Sequence, residues 1–145
     1  MHCGATPVMV DIDEKDFNIS VANIKKAITS KTKAIIPVDI SGFPCDYEEI
    51  NELVASKEIK SLFSPHSDEQ ATLGRILVMA DAAHSIGASY QGKVNGSVTD
   101  VAVFSFHAVK NLTTAEGGAV CLNLPERFDV DEVYRLLNVK SLHGQ

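Results

Sequence analysis

Positive charge is scarce in this chain. Lys and Arg number 13 against 19 Asp and Glu, a formal net charge of -6, and no basic cluster exceeds the pair Lys25-Lys26. Nucleic-acid backbones are held by a concentrated basic face, so nucleic acid is not an expected partner. Cysteine is also sparse. Cys3, Cys45 and Cys121 are odd in number, widely separated and without a CxxC pair, which argues against a disulfide framework or a zinc site and fits a reducing cytoplasm. No run approaches the ~18 apolar residues that a membrane-spanning helix needs. The opening Met-His-Cys-Gly-Ala-Thr-Pro has neither the basic nor the apolar region of a secretory leader, so a membrane address is not expected. Neither a G-x-G-x-x-G nor a G-x-x-x-x-G-K-[ST] loop occurs, which ranks a nucleotide-binding α/β module last. Tryptophan is absent and prolines number 5, yet the composition is 45% hydrophobic and 22% charged, inside the globular range. A chain of 145 residues buries roughly 70% of its unfolded surface and is long enough for one domain with a real core.

Short apolar runs rich in β-branched residues alternate with polar or helical stretches, the pattern of parallel strands joined by crossover helices. The predicted strands are Pro7–Asp11, Ala34–Val38, Ile76–Ala80, Val101–Ser105 and, more weakly patterned, Gly118–Leu122. A helix is predicted over Ser20–Thr29, with Ser20 as N-cap and Val21, Ile24, Ala27 and Ile28 on one face. Another spans Asp46–Lys57 with a stripe of Ile50, Leu53 and Val54, and a third Asp129–Leu137. The stretch Lys60–Gly74, polar and turn-rich, reads as a surface excursion. The expected fold is α/β, a three-layer, mostly parallel sheet flanked by helices. Opening almost directly on a strand and stopping after a helix, the chain is expected to be a part of something longer.

Three places carry residues suited to chemistry. Asp81 closes the run ILVMAD, and a carboxylate at the C-terminal end of a parallel strand stands where open α/β sheets bind ligands; it would serve equally as the N-cap of a helix starting at Ala82-Ala83-His84. Lys110 follows Phe104–Val109, and its apolar neighbours would desolvate it and favour the neutral, nucleophilic amine; a solvated loop lysine is the plainer alternative. The stretch Thr113–Gly118 would offer backbone N–H groups to an anion or simply turn the chain into the last strand. Ser105, near a strand end five residues before Lys110, would reach a phosphate or be structural. His84 and His107 lie beside these segments; His2, His66 and His143 do not.

Residues 80–118, ADAAHSIGASYQGKVNGSVTDVAVFSFHAVKNLTTAEGG, closely resemble the core of the DegT/DnrJ/StrS family of sugar aminotransferases. That family carries Asp-Ala-Ala-(His or Gln), then Gly-Ser…Asp, then Phe-Ser-Phe…Lys…Leu-Thr-Thr-Gly-Glu-Gly-Gly, in this order and approximate spacing. The likeness extends more weakly to GATPVMVDID, KTKAIIPVDISGFPCDYEEI and LHGQ. It implies a fold-type-I enzyme that uses pyridoxal 5'-phosphate (PLP). Lys110 would hold PLP as a Schiff base and act as the proton-transferring base. Asp81 would pair with the protonated pyridine nitrogen, His84 would lie near the phenolic oxygen, Ala83 would let the ring pack closely, and Ser105 would bind the phosphate. The implied reaction moves an amino group from an amino acid, commonly glutamate, to a nucleotide-linked keto sugar, in a cytoplasmic homodimer.

On the same resemblance, residues 1–145 are part of the large domain. The upstream Gly-Thr/Ser phosphate loop and the C-terminal small domain lie outside it, and residues 60–74 read as an insertion. Ala115 stands where the family usually has Gly. A related sugar dehydratase is disfavoured, because those members replace the Schiff-base lysine by histidine and Lys110 is present. A catalytically incompetent fragment or assembly partner is the alternative from a different class.

Overall fold

Apolar residues alternate along Leu77–Asp81 and Val101–Ser105 so that Val78, Ala80, Ala102 and Phe104 point to one side of a sheet. In the computed structural model, which describes residues 4–141, that side is the core. The elements run α1 (Val21–Ala27), β1 (Ala34–Ile35), α2 (Tyr47–Ala55), α3 (Lys57–Leu62), α4 (Asp68–Leu73), β2 (Leu77–Asp81), β3 (Ser89–Tyr90), β4 (Lys93–Val94), β5 (Val101–Ser105), β6 (Gly118–Leu122) and α5 (Val130–Ser141). The main sheet has the order β1-β2-β5-β6. β1, β2 and β5 are parallel, and β6 returns antiparallel beside β5, so the expected α/β fold with a mostly parallel sheet holds. Ile24 of α1, Tyr47, Ile50 and Val54 of α2 and Ile59 of α3 join the inward strand residues in one hydrophobic cluster. On the other side Val103 and Val120 are exposed.

The helices start where their caps are. Asp46 accepts from the Glu49 backbone N–H at the start of α2, Ser56 from Ile59 at the start of α3, and Ser67 from Gln70 at the start of α4. Ser56 both ends α2 and caps α3, which is why the predicted helix stops short of Lys57. The 60–74 stretch is not the irregular excursion expected. It contains the end of α3 and all of α4, closed by Gly74 in the left-handed conformation (φ 69°), and Leu73 is buried.

Pro7–Asp11 is the other correction. No strand forms there, Val8 and Met9 are 69% and 91% exposed, and the nearest pairing is a single bridge between Ile12 and Ile19. Pattern alone proposes a strand, but a strand needs a ladder of partners for its backbone groups, and among the described residues this segment has one backbone bond, from the Ser20 N–H to the Asp11 carbonyl (3.2 Å). Ala34–Val38 is shorter than predicted for a local reason: Pro37 has no N–H to give a ladder. Pairing with β2 nevertheless resumes at Val38, with Asp81 N–H donating to the Pro37 carbonyl (2.8 Å) and Asp39 N–H to the Asp81 carbonyl (3.0 Å).

Opposite ends of the sheet are fixed by buried carboxylates of different kinds. Before β2 and β5, Arg75 grips Asp100 bidentately (2.7 and 2.6 Å), and Asp100 also accepts from the Val78 N–H (2.9 Å). Beyond β1, Asp39 is 1% exposed and has no cationic partner among the described residues. Donors surround it instead: the Tyr47 hydroxyl (2.5 Å) and Cys45 N–H (3.1 Å) on Oδ1, and the Ser85 hydroxyl and the Asn95 amide (both 2.6 Å) on Oδ2. Asn95 is delivered by the β3–β4 hairpin, whose two-residue loop places Gln91 and Gly92 at φ 50° and 76°, the geometry that suits the strand twist. Burial first, then Asp39, push the Tyr47 hydroxyl far above its ordinary value. The same two causes raise the Cys45 thiol to about 12.

Two outcomes follow from these buried groups. Asp100→Ala leaves Arg75 unpaired and the Val78 N–H without its acceptor, and should lower unfolding free energy by about 2–3 kcal/mol in urea titrations, at the lower side of the range for a fully buried pair because Arg75 is partly exposed. Because only the thiolate is a good nucleophile, Cys45 should resist iodoacetamide in the folded chain and react once urea unfolds it; mass spectrometry of the Cys45 peptide reads both states.

Candidate functional site

Parallel strands release their chains at a common edge. Asp81 is in register with Val103, and β5 runs two residues further to Ser105, so the loops after Asp81 and after Ser105 emerge side by side at the edge where open α/β sheets bind ligands. All five residues singled out by resemblance, Asp81, Ala83, His84, Ser105 and Lys110, belong to these two strand ends and loops.

Asp81 is half-buried. Its Oδ1 accepts from the Ala83 N–H at 3.2 Å, closing a side-chain turn. Residues 82–84 form a turn rather than a helix, so the helix-capping role is not realised. Among the described residues Oδ2 receives no hydrogen bond, and Asp81 forms no ion pair. A half-buried carboxylate left in this state favours a cationic donor from outside the protein.

His84 and Lys110 come together from the two loops, with Nε2 and Nζ 2.7 Å apart. For this contact to be a hydrogen bond the imidazole must offer a bare Nε2 to the ammonium, or the neutral amine must accept from Nε2–H. In both arrangements one proton lies between the two nitrogens. The Lys110 loop is turned by a bond from its own N–H to the His107 carbonyl (2.9 Å). Its apolar neighbours do not bury it as the sequence suggests: Val109 is 79% exposed and Leu112 47%, so Lys110 is held by His84 rather than by an apolar pocket. Ser105 accepts a long bond from the His107 N–H (3.4 Å), and its hydroxyl proton donates to no described residue.

The Thr113–Gly118 stretch behaves mainly as a turn. Thr114 N–H donates to the Phe106 carbonyl (2.9 Å) and Ala115 N–H to the Thr113 hydroxyl (3.0 Å), which occupies two of the amides that an anion would need. The His107 imidazole faces the Glu116 carboxylate at 3.8 Å, both exposed. One residue of the site was not singled out from sequence: Asn111, next to Lys110, donates to the Ile86 carbonyl at 3.0 Å and so ties the lysine loop to the histidine loop. Only the adjacency of Asn111 to Lys110 pointed to it, because its acceptor lies 25 residues away.

The residue types at this edge are those a pyridine cofactor with an aldehyde and a phosphate requires: a carboxylate without a protein cation, a primary amine, an imidazole, a small alanine and a hydroxyl with a free proton. GDP-perosamine synthase of Caulobacter vibrioides is 41% identical over 122 residues, which cover 84% of this chain and 28% of that protein. The spore coat polysaccharide biosynthesis protein SpsC of Bacillus subtilis is 37% identical over 144 residues, 99% of this chain and 31% of that protein. The structure of Spr1654 from Streptococcus pneumoniae in its PLP-form superposes with a TM-score of 0.93 at 43% identity, covering 99% of this chain and 36% of that one. The chain therefore spans about a third of the length of these relatives. A family model matches residues 1–63 and 66–143, and with Asp81, His84 and Lys110 gathered at one sheet edge the chain belongs to the DegT/DnrJ/EryC1/StrS aminotransferase family.

Proposed function

We propose that this chain forms the cofactor-binding part of a PLP-dependent sugar aminotransferase, which moves an amino group from an amino acid, glutamate, to a nucleotide-linked keto sugar. The observation that carries the reading is that the Asp81 carboxylate, without a cation among the described residues, and the Lys110 amine, 2.7 Å from His84, stand at or just beyond the ends of adjacent parallel strands. The naming of relatives as a GDP-perosamine synthase and a polysaccharide biosynthesis protein supports the sugar class. On this reading residues 1–145 are part of a large domain that acts as a homodimer, with the rest of the phosphate site and the sugar-binding surface outside them.

When bound, PLP supplies an aldehyde that captures amines and a cationic ring that draws electrons from the carbon being deprotonated. Asp81 Oδ2 would accept from the ring N–H, its negative charge favouring the protonated ring. Ala83 would present only a methyl group to the ring. His84 would lie near the phenolic oxygen, and Ser105 would donate its hydroxyl proton to the phosphate. Lys110 would hold PLP through Nζ at the aldehyde and, as a free amine, would carry a proton at Nζ. His84, within 2.7 Å of Nζ, is placed to exchange that proton.

Incubating the chain with PLP, reducing with borohydride and mapping the product by mass spectrometry should place a pyridoxyl group on Lys110, absent in Lys110→Ala. Asp81→Asn should weaken PLP binding by about 10–100-fold, because the replacement removes a charge-assisted hydrogen bond. Uniform labelling of surface lysines, or none, would instead support the catalytically incompetent alternative.

The turn that follows Lys110 offers a separate check. Ala115 adopts φ 68°, a conformation in which an L side chain costs roughly 1 kcal/mol and glycine costs nothing. The family's usual glycine thus matches the backbone found here. Ala115→Gly should leave the chain as stable or more stable by up to about 1 kcal/mol in urea unfolding, despite glycine's larger unfolded-state entropy, whereas Ala115→Val should destabilise it.

A further inference from the structure

We infer that Asp39 is a positioning residue for the site: through Ser85 it holds the histidine loop so that His84 meets Lys110. The inference rests on the site reading above but concerns a residue outside it.

Three independent observations join the turn at Asp39–Gly42 to the turn at Asp81–Ser85. The Ser85 hydroxyl donates to Asp39 Oδ2 at 2.6 Å, shorter than its 3.3 Å approach to the Ala82 carbonyl, so its one proton goes to the carboxylate. The Asp39 N–H donates to the Asp81 carbonyl (3.0 Å). Gly42 lies so close beneath the histidine that an added Cβ would stand 2.7 Å from the His84 carbonyl oxygen, at a φ of +83°. The chain on both sides of His84 is therefore fixed from below by one turn.

The network is directional. Asn95 Nδ2 donates to Asp39 Oδ2 (2.6 Å) and to Ser85 Oγ (2.7 Å), leaving Ser85 to accept from Asn95 and donate to Asp39. Asn95 Oδ1 is buried without a partner; turning the amide over would set that oxygen against the carboxylate, so the donor arrangement is the one Asp39 imposes. Every group around Asp39 donates, so in Asp39→Asn an N–H would face the Cys45 N–H on one side, or on the other would require Ser85 and Asn95 to reverse their roles and so disturb the Ser85 link. The ring of donors also explains the absence of a cation. An ammonium or guanidinium here would add a charge beside the Lys110 edge without improving the hold on Ser85.

The contact itself can be measured without cofactor. At fixed pH, Lys110→Met should displace the His84 ring nitrogen resonances in the ¹⁵N-labelled chain, with the other histidines as internal controls. In a Ser85→Ala background that displacement should fall to about half or less of the wild-type value, as expected when two groups lose their coupling, while the amide spectrum of Leu77–Ala80 and Val101–Phe104 stays in place. Asp39→Asn should do the same; should that variant not fold, Ser85→Ala, which removes one link only, decides. An undiminished response in folded Ser85→Ala overturns the inference, as does a wild-type His84 that ignores Lys110→Met. A borohydride-trapped adduct on Lys110 with an indifferent His84 would keep the proposed function and sink the positioning role; a coupled His84 with no adduct would do the reverse.

Discussion

A carboxylate that is buried without a counter-charge must be met by hydrogen-bond donors on every side, or it loses more in hydration than folding can return. Asp39 meets this condition by drawing donors from separate parts of the chain: Cys45 and Tyr47 from the start of α2, Ser85 from the loop after β2, and Asn95 from the end of the β3–β4 hairpin. Other bonds act beside it: the Tyr90 hydroxyl donates to Asp46 Oδ1 (2.6 Å) and Gln91 Nε2 to Glu48 Oε2 (2.9 Å), tying the hairpin to the start of α2. The hairpin has only two residues per strand, and beyond Tyr90, packed edge-on against Tyr47 with ring centroids 5.9 Å apart, it has few apolar anchors. A short, weakly paired element of this kind is marginal by itself; the demand of Asp39 for donors gives it a fixed place.

The site is built on exposed loops, while its support is buried. Lys110 and His84 sit in turns, and the residues that hold them do so by single directed bonds: Asn111 to the Ile86 carbonyl from the lysine side, Ser85 to Asp39 from the histidine side. Loops carry chemistry well when a rigid scaffold sets their ends, and here β2 and β5, with inward Val78, Ala80, Ala102 and Phe104 all buried, supply that scaffold. The parallel register matters more than the identity of any core residue. A shift of one position between β2 and β5 would carry Asp81 to the opposite face of the sheet.

Much of this was legible in sequence because it is local. β5 and β6 match their predicted bounds to the residue, each a short apolar run bounded by turn residues; β2 lies one position beyond its prediction. Asp81 and Lys110 were readable from their place after strands and from family likeness. What was not legible depended on partners far along the chain. Pro7–Asp11 has a strand's pattern but pairs with no strand among the described residues. α4 is hidden in a polar stretch because its one buried residue is Leu73, and Ser67 and Gly74, its caps, are residue types equally at home in a loop. Asp39 follows an apolar strand as Asp81 does but is not among the residues singled out from sequence, because its donors lie up to 56 residues away.

The two strand-end carboxylates also show how one sheet edge separates structural from chemical work. Both follow parallel strands, and their backbones bond directly, Asp39 N–H to the Asp81 carbonyl. Asp39 is 1% exposed and saturated with neutral donors; Asp81 is half-buried, with Oδ1 engaged by Ala83 and Oδ2 by nothing described. Lys110 meets His84, with Nζ 2.7 Å from Nε2, and forms no ion pair with Asp81 among the described residues. An amine held by an imidazole leaves the carboxylate open to an outside donor, and on the inference above the loop that carries His84 is held from the buried side by Asp39 through Ser85.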